Sequence, residues 1–225
     1  MPRIGRKAPG GLIYHVMNRG NGRQKIFHKD ADYAAFIGIL NSVQETLPVP
    51  ILGYCLMPNH WHLVLHPTHD GDLSSFMLRL TTTHVRRHHA HYRRPSGGHL
   101  YQGRFKSFPV QDDVHLLTLL RYVEGNPLRA ELTRRAVDWP WTSFAARENN
   151  ADDWLSPWPV KRPSGWAGLL EERLPKLQLE HVTRSLQRGR PMGGDSWTND
   201  VAQTLGLAFT LNPRGRPKRN ADQGK

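Results

Sequence analysis

A single cysteine, Cys55, is the whole thiol content of this chain. One thiol permits no internal disulfide and no cysteine-based zinc site, as expected of a protein kept in a reducing compartment. Long apolar runs are missing too. None approaches the ~18 residues that a membrane span requires, and the first eleven residues lead into a mixed segment rather than a signal-type apolar core. Acidic residues are scarce beside basic ones, with 19 Asp and Glu against 31 Lys and Arg, a formal charge of +12 over 225 residues. Disorder throughout is excluded by 38% hydrophobic residues and seven Trp, more apolar surface than a solvated polyelectrolyte carries. A cytoplasmic, nucleoid-associated protein that binds nucleic acid is the expectation, with no membrane partner.

The positive charge is segregated. Residues 1–29 hold seven basic side chains and no acid, among them Arg3, Arg6 and Arg19. Residues 73–111 hold seven more, again without an acid: Arg79, Arg86, Arg87, Arg93, Arg94, Arg104 and Lys106. Acids gather chiefly between Asp112 and Glu180. Such tracts suit a surface that follows phosphates, and the same residues can also form a plain solvated face. His84, His88, His89 and His91 interleave with Arg86 and Arg87, so they read as a solvated, DNA-facing stripe rather than a metal site.

Periodicity divides the chain into elements. Leu12 to Met17 is strand-prone and ends at the turn cluster Asn18 to Gly22. Tyr33, Phe36, Ile37, Leu40, Val43 and Leu47 recur at helical spacing behind an acidic cap at Asp30 or Asp32, and Pro48 and Pro50 stop that helix. Ile51 to Met57 and Trp61 to Leu65 form a hairpin around Pro58-Asn59. A second helix covers residues 72–92, a strand runs from Tyr101 to Val110, and a third helix runs from Asp112-Asp113 to about Asn126, where Pro127 ends it. The order β-α-β-β-α-β-α predicts an α+β sheet with helices on one face. Beyond Trp139-Pro140-Trp141 the composition turns to Pro, Trp and Gly. A domain edge is therefore placed at 150, separating 1–150 from a 151–225 extension with one helical segment, Leu169 to Gln187, and a basic tail.

His60-Trp61-His62 opens a strand, so the two imidazoles share a face, roughly 7 Å apart, while Trp61 points to the other. A pair of this kind can converge on a divalent cation once a third donor is supplied. Tyr122 and Asn126, spaced i, i+4, offer a phenol and a carboxamide on one helix face. A His-His-Asn set with open water positions suits magnesium or manganese. A phenol beside it suits nucleophilic attack on phosphorus, although spacing alone ranks Tyr122 no higher than Tyr101 or Tyr92. Asn59-His60 also admits a hydrolytic HNH-like nuclease, which forms no covalent intermediate.

Leu56-Met57-Pro58-Asn59-His60-Trp61-His62-Leu63-Val64-Leu65 resembles the HUH motif (His, hydrophobic, His) of the single-tyrosine transposases. Four further stretches fit that family in order: His15 to Gly20, Tyr101 to Ser107, Tyr122 to Ala130, and Trp139-Pro140-Trp141-Thr142-Ser143. Together they cover about residues 10–145, and the extension resembles the REP-associated tyrosine transposase branch of the family. The resemblance implies a ferredoxin-like antiparallel sheet, the HUH endonuclease core. It implies Tyr122 as nucleophile and His60, His62 and Asn126 as metal ligands. It further implies a 5′-phosphotyrosine on single-stranded DNA at palindromic hairpin repeats, which the same enzyme rejoins. A catalytically silent DNA-binding regulator of such palindromes is the alternative. No obligatory protein partner is expected, and a monomer is preferred over a homodimer because the extension can cover the surface that dimers use.

The tail Pro213 to Arg219, with Arg214, Arg216 and Lys218, resembles an AT-hook whose arginines enter a narrow A·T minor groove. A plain electrostatic arm is the alternative for the same residues. The helix 72–92, with Arg93 and Arg94 just beyond it, and Arg104 and Lys106 are expected to contact phosphates and extrahelical bases of a folded strand.

Overall fold

The computed structural model describes residues 7–92 and 98–212. Arg3, Arg6, Arg93, Arg94 and the hook-like residues Arg214, Arg216 and Lys218 lie outside the described residues. Four strands form one antiparallel sheet in the order β2-β3-β1-β4: β1 (Ile13–Arg19), β2 (Ile51–Met57), β3 (His60–Leu65) and β4 (Lys106–Val110). Between them run α1 (Asp30–Thr46) and α2 (Asp72–Tyr92). After β4 come α3 (Val114–Glu124), α4 (Asn126–Arg129), α5 (Ser143–Glu148), α6 (Trp166–Glu171), α7 (Lys176–Arg188) and α8 (Asp195–Thr204).

Local chemistry sets the first helix and the hairpin. The Asp32 carboxylate accepts from the His28 and Lys29 amides at 2.7 and 3.2 Å, satisfying donors at the start of α1. Tyr33, Phe36, Ile39, Leu40 and Val43 form its buried stripe. Pro58 and Asn59 close the turn between β2 and β3, with Met57 paired to His60. The predicted Tyr101–Val110 strand is shorter than expected. Regular pairing starts at Lys106, and Tyr101 makes only an isolated bridge to Gly20.

Helices cover both faces of the sheet, a correction to the single covered face expected from the element order. Alternation along the strands separates two apolar clusters. One joins Tyr14, Val16, Leu56, Trp61 and Leu63 to α1 and α2. The other joins Ile13, Cys55, Val64, Phe108 and Val110 to Leu116, Leu119, Leu120 and Val123 of α3. Gly53 allows the second packing, because a Cβ there would stand 2.7 Å from a Leu120 methyl.

The apolar packing continues past residue 150. Trp166, Leu170, Val182 and Met192 lie in the α3 cluster. Trp158 donates to the Leu52 carbonyl at 2.7 Å, and Met192 pairs with Pro109 and Gln111 beside β4. The single helical segment expected over 169–187 is two helices, α6 and α7, with Pro175 at the N-cap of the second. Among the described residues no helix is long and apolar enough to cross a membrane.

The histidine stripe of α2 is also corrected. His84 and His88 continue the Leu73, Phe76, Met77 and Leu80 face into the core, each only 4% exposed. The His84 ring meets Phe36 edge-on at 4.9 Å. Trp61 Nε1 donates to the Tyr101 hydroxyl at 2.9 Å, and that hydroxyl donates to His84 Nδ1 at 2.6 Å. Burial holds the His84 pKa down at about 3, so the ring is neutral and accepts that bond.

Candidate active site

Register brings the two motif histidines to the α3 side of the sheet. Met17 pairs with His62 and Arg19 with His60 across β1 and β3, while Lys106 pairs with Met17 from β4. Directly paired residues share a face, so Arg19, His60, His62 and Lys106 point together. The His60 and His62 rings stand 5.0 Å apart, centroid to centroid, at 80°. Trp61 faces the other way into the α1–α2 core, fully buried.

Each motif histidine is held through Nδ1. His60 Nδ1 lies 2.6 Å from Asn59 Oδ1, which can only accept, so the ring donates there. His62 Nδ1 lies 2.8 Å from Nε2 of His15, a buried residue on β1. The His62 Nε2 atom is buried with no hydrogen-bond partner. All three rings are neutral. Burial lowers His15 to about 3 and His60 to about 4, and lowers His62 well below its ordinary value, with His60 and His15 adding to the effect. Neutral imidazoles with a fixed Nδ1 proton are the form in which Nε2 binds a metal ion.

Tyr122 projects from α3 towards this pair, its ring 6.0 Å from that of His62 and nearly perpendicular to it. The two rival tyrosines are committed elsewhere: Tyr101 in the Trp61–His84 network, and Tyr92 as donor to Asp32 at 2.5 Å. The Arg129 guanidinium lies over the Tyr122 ring, a residue that sequence reasoning passed over.

Asn126 departs from the expected geometry. The α3 helix ends at Glu124 and Gly125 caps it, so Asn126 opens a separate turn with Pro127 beside it. Tyr122 and Asn126 therefore do not share one continuous helix face, because Gly and the pre-proline position both disfavour its continuation. Asn126 is 8% exposed, and its Nδ2 is buried without a partner. Among the described residues no three His, Cys, Asp or Glu side chains gather as a metal site.

The cleft over these groups encloses about 670 Å³ and is lined by His60, His62, Tyr122, Arg19, Arg104 and Lys106. Arg19 Nε is buried there without a hydrogen-bond partner. Arg79, Arg86 and Arg87 are exposed on α2, which packs on the opposite face of the sheet, so the basic tract 73–111 divides between two sides. One wall of the cleft comes from the extension, through Thr183, Leu186 and Gln187 of α7. Sequence reasoning placed no residue of α7 at the site, and its amphipathic pattern was the only available signal.

A family model described as "Transposase IS200 like" matches residues 10–126. A protein of Haemophilus influenzae described as a REP-associated tyrosine transposase is 27% identical over 124 residues, covering 51% of this chain and 69% of that protein. The solved structure of a REP-associated tyrosine transposase bound to a REP hairpin superposes with a TM-score of 0.53 at 19% identity, covering 72% of this chain and 93% of the other. The matched span carries the paired histidines, the helix tyrosine and all four strands of the sheet, and on that match the chain belongs to the IS200-like family of DNA transposases.

Proposed function

We propose that this transposase nicks and rejoins single-stranded DNA at hairpin-forming palindromes, through a covalent bond between Tyr122 and a 5′ phosphate. The observation that carries the reading is the placement of the Tyr122 ring beside His62 and His60 in a cleft walled by Arg19, Arg104 and Lys106. The likeness to a protein described as a REP-associated tyrosine transposase, and to one bound to a REP hairpin, supports the choice of substrate.

The chain's own residues supply binding, orientation and the nucleophile. Arg19, Arg104 and Lys106 hold the strand by its phosphates. The Tyr122 phenolic oxygen forms a bond to phosphorus as the bond from phosphorus to the 3′ oxygen breaks. The phenolic proton leaves to solvent, and the departing 3′ oxygen takes one up. One phosphoester replaces another, so a 3′-hydroxyl can reverse the step without ATP.

His60 and His62 fit a divalent cation, since the buried Nε2 of His62 has no partner and both rings are neutral. The carboxamide oxygen of Asn126 is the third donor in this reading. Magnesium or manganese bound there would polarise a phosphate oxygen and stabilise charge on the reacting group. A monomer acting alone is part of this reading.

The test uses labelled single-stranded hairpin DNA with manganese. The expected product is an adduct that resists denaturation and partitions with protein into phenol. Tyr122→Phe is expected to lose the adduct while retaining DNA binding. Cleavage without an adduct indicates hydrolysis, binding without cleavage indicates a regulator, and an adduct retained by Tyr122→Phe assigns the nucleophile elsewhere.

A further inference from the structure

A second groove, of about 680 Å³, lies along α7 and is lined by Arg184, Arg188 and Arg190, with Thr210 and Asn212 opposite and Glu180 as an acid on its wall. Arg184 and Arg188 are one helical turn apart and so share a side of α7, about 6 Å apart along the axis. Arg184 is exposed. Arg188 is half-buried and reaches the Phe209 carbonyl at 3.4 Å with one Nη. Arg190 Nε is buried with no hydrogen-bond partner.

Thr183 and Gln187 line this groove and the catalytic cleft alike, so the two join across α7. A DNA strand lying over Tyr122 meets these residues as it leaves the cleft. We propose that the α7 groove is a second DNA subsite, which binds the phosphates of the single strand continuing from the scissile phosphate. The proposal rests on the reading of Tyr122 as the nucleophile only for the position of that strand.

Charge and continuity select the occupant. Guanidinium forks bind phosphate oxygens as bidentate donors irrespective of base, and three of them beside one carboxylate leave the groove positive. The groove belongs to the extension, beyond the residues that the family model matches. It therefore adds to this chain a grip on flanking strand that its matched core does not provide.

Fluorescence anisotropy on the full chain tests this with two probes: the bare hairpin, and the same hairpin with a single-stranded flank of about ten nucleotides. The wild-type protein is expected to bind the flanked hairpin more tightly. Its slope of log affinity against log salt is expected to be steeper by about 1.4, from two further phosphate contacts at about 0.7 each. Arg184→Ala with Arg188→Ala is expected to erase this increment and leave bare-hairpin affinity unchanged. Arg184→Glu, a change at an exposed position that leaves the fold intact, is expected to reduce the increment by itself. A wild-type protein that does not distinguish the probes overturns the proposal, as does a variant that weakens both equally. The covalent adduct, followed in parallel on the flanked hairpin, which carries the strand to be cut, reports separately on Tyr122: its absence defeats the nucleophile reading while the anisotropy still decides the groove.

Discussion

The guanidinium carbon of Arg129 sits 3.9 Å from the centroid of the Tyr122 ring, and its Nη2 donates to the Tyr122 carbonyl at 2.5 Å. One side chain thus clamps both ring and backbone where α3 ends. A cation over an aromatic face at an exposed site contributes about 0.5–1 kcal/mol. Arg129→Ala is expected to slow adduct formation at saturating DNA by about two- to fivefold, with DNA affinity little changed and Arg129→Lys in between. Single-turnover kinetics check it, and an unchanged rate removes Arg129 from the positioning of the tyrosine.

A cation on Nε2 of His62 requires His15 Nε2 to accept in the 2.8 Å bond that joins it to His62 Nδ1. With His15 Nε2 as the acceptor, His62 carries its proton on Nδ1 and offers Nε2 as a lone pair. Loss of such a supporting partner costs about 10- to 100-fold in metal affinity. His15→Phe, which retains the stacking on Phe108 seen at 4.8 Å, is expected to weaken manganese binding by that factor. Titration of the DNA-free protein followed by the manganese EPR signal measures the effect independently of cleavage.

Glu124 ties the end of the tyrosine helix to the chain beyond it. Its buried carboxylate accepts from Ser143 Oγ at 2.6 Å and from Trp166 Nε1 at 2.7 Å, and burial raises its pKa. Glu124→Ala strands the buried Trp166 N–H at about 1–3 kcal/mol, while the Ser143 hydroxyl still has the Tyr54 carbonyl at 3.3 Å to donate to. A clear drop in thermal midpoint is expected, with Glu124→Gln milder because it keeps an acceptor. Scanning calorimetry of the three proteins decides.

Acid is expected to destabilise the fold through its buried histidines. His15 and His84 near 3, His60 near 4 and the still-neutral His62 stay uncharged in the native state down to those values, whereas the unfolded chain takes up protons near 6.5. The unfolded state binds more protons in that window, so stability is at its plateau above 6.5 and falls as pH drops towards 4. The slope is about 1.4 kcal/mol per pH unit for each such histidine. Urea midpoints between pH 7.5 and 5, taken with a chelator so that metal release does not contribute, are expected to be level and then decline. A flat profile to pH 5 contradicts the buried, neutral assignment.

The local signals located every strand and α-helix of the first 124 residues, although the strand expected from Tyr101 begins only at Lys106. Period-two alternation put His60 and His62 on one face and Trp61 on the other, and helical spacing found α1, α2 and α3. The end of α3 was misplaced by two residues, because Gly125 and Pro127 bias the backbone without fixing where the turn falls. His84 and His88 looked solvated because their arginine neighbours are. Only the packing of α2 on α1 shows that the histidines occupy the inward side of the same helix.

By itself the sequence determined what depends on near neighbours along the chain: the strand and helix order, the paired imidazoles, the tyrosine before Gly125 and the basic excess. Tertiary structure alone decided what depends on register and packing between distant segments. The antiparallel pairing of β1 with β3 places His15 against His62, 47 residues away. The fold of α3 onto the sheet brings Tyr122 to that pair, and α7 closes the cleft from a segment that composition had set apart. Such contacts arise from the apolar surface that remote elements bury together, and no short window of sequence carries that information.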